Sequence, residues 1–421
     1  MRNFLFRFFF IFFLVTISPW AWFPWISDLF SWVDTIDHWI VNLFNKNILH
    51  VKNNLNIDGG GSGDYSYAWA QFYTYLILAF TGAIIWTIID RKRERNYNTL
   101  GYFLRTMVRY YVSIVALSYG IIKLFALQMY PPNLSQLATP LGDYLPMRFS
   151  WMFFGYSAPY QIFSGAIETF TGLLLLNRKT VTPGALLALA TFTNVFMLNL
   201  SYDIPVKLYS MQVMIYSLFL VLQDWRRLFH FFFLNRSVRA TALYDIELTK
   251  TWHRIGRGIL KLAFIIVFII MPFIQSRDRY LNGLEPVAPR PINTGIYDIK
   301  VFARNGDTLA VAANKDTDWK DFIFDVNGMG SVNTTDSLFR QRYRRGYFAY
   351  QPDTIKHVID FKKFPTDSVP LFSFNYKIVD SNRLQLWGPV RKDTLFFYLE
   401  KNNRHFQLTE NQFHWISEAN R

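Results

Sequence analysis

Apolar and polar positions follow two different patterns along this chain, and the change falls near position 290. Before it, apolar residues come in blocks of roughly 20, the length that crosses a hydrocarbon core about 30 Å thick. After it, they come as short alternating runs between turn residues. The blocks predict about seven membrane-spanning helices: one within 1–24, then 67–89, 103–129, 158–176, 183–200, 208–222 and 259–273. The first block also has the outline of a signal peptide, with Arg2 and Arg7 around an apolar run. However, SPWAWFPW offers no small-residue cleavage site and reads as an interfacial aromatic belt, so a retained span is expected.

Between 25 and 44 the apolar residues recur at helical spacing, with Asp28, Asp34, Asp37 and His38 in the gaps. That predicts an amphipathic helix lying on the outer membrane boundary. The run NNLNIDGGGSGDYS then predicts a flexible connector. In YPPNLSQLATPLGDYLP the paired prolines rule out helix continuation and predict an extracytoplasmic loop. MRFSWMFFGYSAPY brings the chain back as a short interfacial helix.

From Ile292 the runs IYDIKVFA, TLAVAA, DFIFDV, RGYFAY, IKHVIDF, LFSFNYKIV, RLQLWG, DTLFFYLEK and HFQLT carry β-type residues, separated by turn signals such as NGD, NGMG and DSN. About eight strands in a small antiparallel sandwich or barrel follow from this. The expected organisation is therefore an N-terminal region 1–66, a transmembrane helical domain 67–274, a Pro-rich linker 275–291 and a β domain 292–421.

Charge adds orientation. Basic clusters at 2–7, 91–95, 105–109, 178–179, 226–239 and 254–261 all fall on one side of a seven-span count. By the positive-inside rule that side is the cytoplasm of a bacterial-type cell, which places the N-terminus inside and the C-terminal domain outside. The overall excess, 44 basic against 30 acidic residues, sits beside apolar blocks and points to membrane lipids rather than nucleic acid. The chain has no cysteine, which excludes disulfides, thiolate nucleophiles and Cys-ligated metals. Its seven histidines form no HxxH or HExxH pair, so no metal is expected. Nucleotide-binding glycine motifs and the GxSxG elbow are missing too.

Candidate chemistry concentrates in the fourth span. Gln161, Ser164, Gly165, Glu168, Thr171 and Gly172 recur at spacings of three and four, so they share one helical face. Small residues on such a face let a neighbouring helix approach closely. A carboxylate at mid-span needs a partner or a wet cavity. Depth counted from the inner ends of the spans gives Arg109 as the partner of Glu168 and leaves Lys123 to an outer vestibule. The fifth span adds Thr191 and Asn194. The loop after it holds Tyr202, Asp203 and Lys207, which with Asp143 and Arg148 could form an outer mouth for a headgroup or small anion. A loop-locking ion pair is the plainer reading of Asp203 and Lys207. The run RQRYRRG reads as a solvated strand face, or as a basic–aromatic patch for lipid phosphate or an acidic glycan.

The segment GYSAPYQIFSGAIETFTGLLLLNRKTVTPGALLALATFTNVFMLNLSYDIPVKLYSMQ resembles the DoxX-like family of small bacterial membrane proteins. The likeness lies in Phe163, Gly165 and Glu168, the leucine run and basic turn, and Tyr202 to Ser210. It covers roughly 100–228, under a third of the chain. The ending FHWISEANR resembles that of multi-span proteins of the Bacteroidetes. The resemblance implies a four-helix membrane core, extended here by further spans and a periplasmic β domain. Some members are linked to quinone-coupled sulfur oxidation, but a chain without a thiol or an evident cofactor ligand does not inherit that activity. Two functions are thus expected. One is a helix core that holds a lipid-like or quinone-like small molecule at Glu168, Arg109, Gln161, Thr171 and Asn194. The other is a scaffold whose periplasmic domain recruits an envelope assembly or secretion partner.

Overall fold

In a computed structural model of the protein, residues 2–91, 97–239, 250–284, 291–309, 319–410 and 414–418 are described. They form two compact units. The first holds Met1–Met129 and Ser157–Asn282, and the second Tyr130–Tyr156 and Gly283–Arg421.

In chain order the helices are α1 (Arg2–Ile17), α2 (Pro24–Leu29), α3 (Ser31–Phe44), α4 (Ser66–Ile89), α5 (Asn98–Leu124), α6 (Leu134–Leu137), α7 (Pro146–Tyr156), α8 (Ala158–Leu176), α9 (Val181–Ser201), α10 (Lys207–Leu222), α11 (Trp225–Phe232), α12 (Thr251–Ile265) and α13 (Met271–Leu284). A π-turn over Ile266–Ile270 joins the last two. Helix thus runs through the first part of the stretch expected as a linker.

By length and composition, five helical stretches among the described residues can cross a membrane: Asn3–Ala21, Ser66–Ile89, Asn98–Leu124, Arg178–Ser201 and Thr251–Gly283. α10, at 16 residues, is shorter, and α8 carries the polar face. In the helical unit α5 and α8 run antiparallel in close contact, α9 packs on α10, and α1 on α4. Phe12, Phe13 and Ile17 of α1 are buried, and Phe13 meets the rings of Tyr216 and Phe219. Arg7 is buried beside Asp90 and donates to Thr87 and Tyr97.

α3 turns its carboxylate inward: Asp37 accepts from Tyr67, Gln71 and Tyr75, one turn apart along α4. Trp32 and Trp39 are left exposed on the opposite face. The glycine-rich run that follows is not a free connector. Gly63 donates to the carbonyl of Pro205, and both carboxylate oxygens of Asp64 accept from the first amides of α10, Lys207 and Leu208. A helix N-terminus leaves such amides unpaired, so an aspartate from elsewhere can cap it.

The second unit is a closed antiparallel barrel. Its strands are β1 (Gly295–Arg304), β2 (Asp307–Leu309), β3 (Asp321–Phe324), β4 (Met329–Val332), β5 (Arg340–Arg342), β6 (Arg345–Asp353), β7 (Val358–Lys362), β8 (Phe372–Ile378), β9 (Arg383–Val390) and β10 (Asp393–Asn402). The order is β10-β9-β8-β7-β6-β4-β3-β1, and pairing of β10 with β1 closes the ring; β2 and β5 attach to β1 and β6. Alternate residues fill the interior, for example Leu395, Phe397 and Leu399 on β10 and Phe372, Phe374 and Tyr376 on β8. On β1 a bulge between Ile299 and Val301 shifts the inward set from Tyr297 and Ile299 to Phe302.

Among the described residues ten strands form where about eight are expected. β4 lies in the NGMG region, where Gly330 takes a place that a Cβ could occupy only 2.6 Å from the Phe348 ring. Strand formation there follows packing rather than β propensity. HFQLT does not add a strand; Gln407–Glu410 (α14) form a helical turn instead. Of the TLAVAA run, the part after Leu309 lies outside the described residues.

Residues 130–156, expected only to link two spans, belong with the barrel. Asp325, at the end of β3, accepts from the backbone amide of Leu134 and from the amide and hydroxyl of Ser135. Ser135 in turn accepts from Ser331, and Ser331 from Arg345, which is paired with Asp321 at 2.6 Å. The chain is therefore held by a continuous network of buried polar groups that satisfy one another.

Candidate functional site

The face predicted on the fourth span exists. Gln161, Gly165, Glu168, Thr171 and Gly172 are all buried along α8, against α5. The partner of Glu168, however, is Lys123 and not Arg109: Lys123 Nζ lies 2.5 Å from Glu168 Oε1, and both residues are buried. Two features of the packing overturn the depth count. α5 ends at Leu124 rather than near Met129, so its last turn lies level with Gly165 rather than with the start of α8. Helical side chains also lean toward the N-terminus, which carries the ammonium of Lys123 back toward Glu168.

The backbones meet where Gly120 and Gly165 face each other. A Cβ on Gly165 would lie 2.7 Å from the backbone nitrogen of Leu124, and one on Gly120 2.6 Å from that of Thr169. Glu168 Oε2 has no hydrogen-bond partner among the described residues. The pair thus sits inside a tight helix–helix seam.

The other expected site residues serve structure or lie apart. Gln161 clamps the chain leaving α5: its Oε1 accepts from the amides of Gln128 and Met129, and its Nε2 donates to the carbonyl of Met129. Thr171 donates to the carbonyl of Ile167 within its own helix. Asn194 is exposed on α9, while Asn199, one turn on, is buried and donates to Ser210. Tyr202 is half-buried in the turn after α9. Lys207 pairs with exposed Asp203 at 2.6 Å and approaches Asp64 at 3.6 Å, the arrangement of a loop lock. Asp143 pairs with Arg344, and Arg148 lies over the Trp151 ring, both in the barrel unit.

Arg109 belongs to a different place. It lies 14 residues before Lys123, about 20 Å along the helix axis, and borders a cavity of about 1120 Å³ between α5, the end of α8 and α12. Phe103, Tyr110, Leu176, Trp252, Leu260 and Phe264 give it apolar walls. Arg109, Arg178, Lys179, Arg257 and Lys261 are its cations, and no carboxylate among the described residues lines it. The guanidinium of Arg109 stands 4.9 Å from the Tyr110 ring centroid, and its Nε is buried without a hydrogen-bond partner among the described residues. The turn between α8 and α9 holds Arg178 and Lys179 in place: Asn177 accepts from the amide of Lys179, and Thr180 donates to the carbonyl of Leu174. A smaller cavity of about 110 Å³ shares Tyr102, Arg109 and Arg178. Aromatic walls with a cationic border suit an amphiphile with an anionic head.

The basic clusters at 105–109, 178–179 and 254–261, which sequence places only on one side of the spans, thus converge on one cavity. The signal for it was the run of membrane-flanking cations. What no sequence feature shows is that α12 returns beside α5.

Fold and cavity together define a protein with an apolar helical unit and a closed β barrel. No family model matches the chain, and no solved structure matches it. It is 35% identical over 78 residues to the uncharacterized protein YwoB of Bacillus subtilis strain 168. The match covers 18% of this chain and 51% of YwoB, so the chain spans about half the length of that curated relative.

Proposed function

We propose that this is a multi-pass protein of the bacterial inner membrane whose helical unit holds an anionic, lipid-like molecule in the cavity bordered by Arg109. The reading is carried by one observation: a half-open cavity of about 1120 Å³ between aromatic and aliphatic walls, with five cations and no carboxylate among its described lining residues. A neutral quinone would fill the walls but make no use of their cationic border, so an acidic headgroup fits better. The seven-span count, a cytoplasmic N-terminus and a periplasmic barrel are part of the proposal, supported by basic residues gathered at one end of the helices. So is kinship with the DoxX-like family, supported by the resemblance around Glu168 and the Tyr202 turn.

Native mass spectrometry of the detergent-purified protein tests this. An anionic phospholipid should be retained by the wild type and by Glu168→Gln, and depleted several-fold in Arg109→Gln with Arg257→Gln. Recovery of a quinone instead, or equal retention by all three, defeats the reading.

A scaffold role is favoured by a separate observation, the filled barrel interior, which leaves that unit only its surface to act through. Cross-linking of the full-length protein in cells should then capture a partner through barrel residues.

A further inference from the structure

The run RQRYRRG divides into two kinds of arginine. Arg344 pairs with Asp143 at 3.4 Å, and Arg345 pairs with Asp321 at 2.6 Å. Among the described residues the side chains of Arg340 and Arg342 make no ion pair or hydrogen bond, and the two alternate on β5 and so share one side of the strand. The side chain of Arg148 on α7 has no such partner either. All three border one cleft of about 180 Å³ in the barrel unit, together with Lys363.

Like charges do not gather without a reason. Burial and the nearby charges of Arg340 and Arg148 push the Arg342 guanidinium below its ordinary pKa. The arginines are held rather than loose: Arg148 lies 5.3 Å from the Trp151 ring centroid and Arg340 5.0 Å from that of Phe364. Stacking fixes the plane of a guanidinium and leaves its edge N–H groups to donate. The one carboxylate in the lining, Asp325, already accepts from Leu134 and Ser135. Tyr347 also borders the cleft, and its hydroxyl is buried with no hydrogen-bond partner among the described residues. The cleft therefore presents four cations and an unused hydroxyl against one committed carboxylate.

We propose that this cleft binds a phosphate group, with Arg148, Arg340 and Arg342 donating to its oxygens and Tyr347 completing the site. A phosphate monoester carries close to two negative charges at neutral pH and three acceptor oxygens. It matches the charge excess better than a carboxylate, which brings one charge and two oxygens. The cavity volume admits a phosphorylated small group or the head of a phospholipid, and the chemistry of recognition is the same for both.

The test is calorimetric titration of the full-length protein in a neutral detergent at low salt. The probes are inorganic phosphate, glycerol 3-phosphate and acetate, with flotation on vesicles containing phosphatidic acid as a further arm. Phosphate and its ester should bind at least tenfold more tightly than acetate. Arg342→Gln and Arg340→Gln should each weaken that binding about tenfold, whereas Arg344→Gln, at a paired surface arginine, should change it less than twofold. Unshifted melting temperatures show that the variants are folded, and Tyr347→Phe, with the smallest change in shape, should weaken binding without unfolding. Binding of the soluble ester identifies a soluble ligand; flotation that needs phosphatidic acid and is lost in Arg342→Gln, without binding of the ester, identifies a lipid headgroup. No binding by either probe, equal binding of acetate, or equal loss in Arg344→Gln overturns the proposal.

Discussion

At the scale of single residues, burial gives Glu168 and Asp325 opposite solutions to the same cost. Glu168 meets a cation, Lys123, in a seam with no room for solvent. Removing one member of a buried pair leaves an uncompensated charge, which costs about 3–5 kcal/mol, while replacing both can be neutral. Glu168→Gln should therefore lower the unfolding free energy in detergent by about that amount, and adding Lys123→Met should restore most of it. Equal stability of the single variant and wild type would show that the pair is solvated. Asp325 instead meets amides and a hydroxyl, and burial still raises its carboxyl above the ordinary 3.8. A folded-state pKa raised in this way contributes stability at low pH, and that contribution is lost as pH rises through it. The melting temperature of the wild type should fall toward that of Asp325→Asn as pH rises from about 4 to 7, and parallel curves would contradict this. That Glu168 needed a partner was legible in sequence. Which cation answered was not, because the choice depends on the register of two helices more than 40 positions apart.

At the scale of elements, the α5–α8 contact depends on absent side chains. Gly165→Val would place branched carbon where a Cβ already lies 2.7 Å from the backbone of α5. The helices must part, and overpacking of this kind costs about 1–3 kcal/mol or more. Gly258→Ala on α12 meets nothing within 4 Å, and should be neutral or stabilise by up to about 1 kcal/mol. Comparison of the two melting temperatures checks both expectations. Helices and most strands were readable from period alone, since blocks of about 20 apolar residues and strict alternation have few other solutions. β4 was not: Gly330 lacks strand propensity, and pairing with β6 recruits it.

At the scale of the whole molecule, the chain uses an interruption in its helices to complete its barrel. Residues 130–156 leave the helical unit after Met129, dock on the barrel through Ser135 and Tyr144, and supply Arg148. Replacing 130–156 by a short polar linker should strip the Asp325 carboxylate of its donors and the Ser331 hydroxyl of its acceptor, and make the barrel several-fold more sensitive to limited proteolysis. Unchanged protection would mean that the barrel is self-sufficient. The amino-acid sequence by itself determined the two architectures, the change between them near position 290, and the polar face along 161–172, because each rests on periodicities within one segment. Tertiary structure alone decided the pairing of Lys123 with Glu168, the gathering of distant cations around the Arg109 cavity, closure of β10 on β1, and the sharing of one cleft by Arg148 and Arg342. Each of these joins residues far apart in the chain, and such contacts form only once packing has chosen a single register among many that local pattern allows equally.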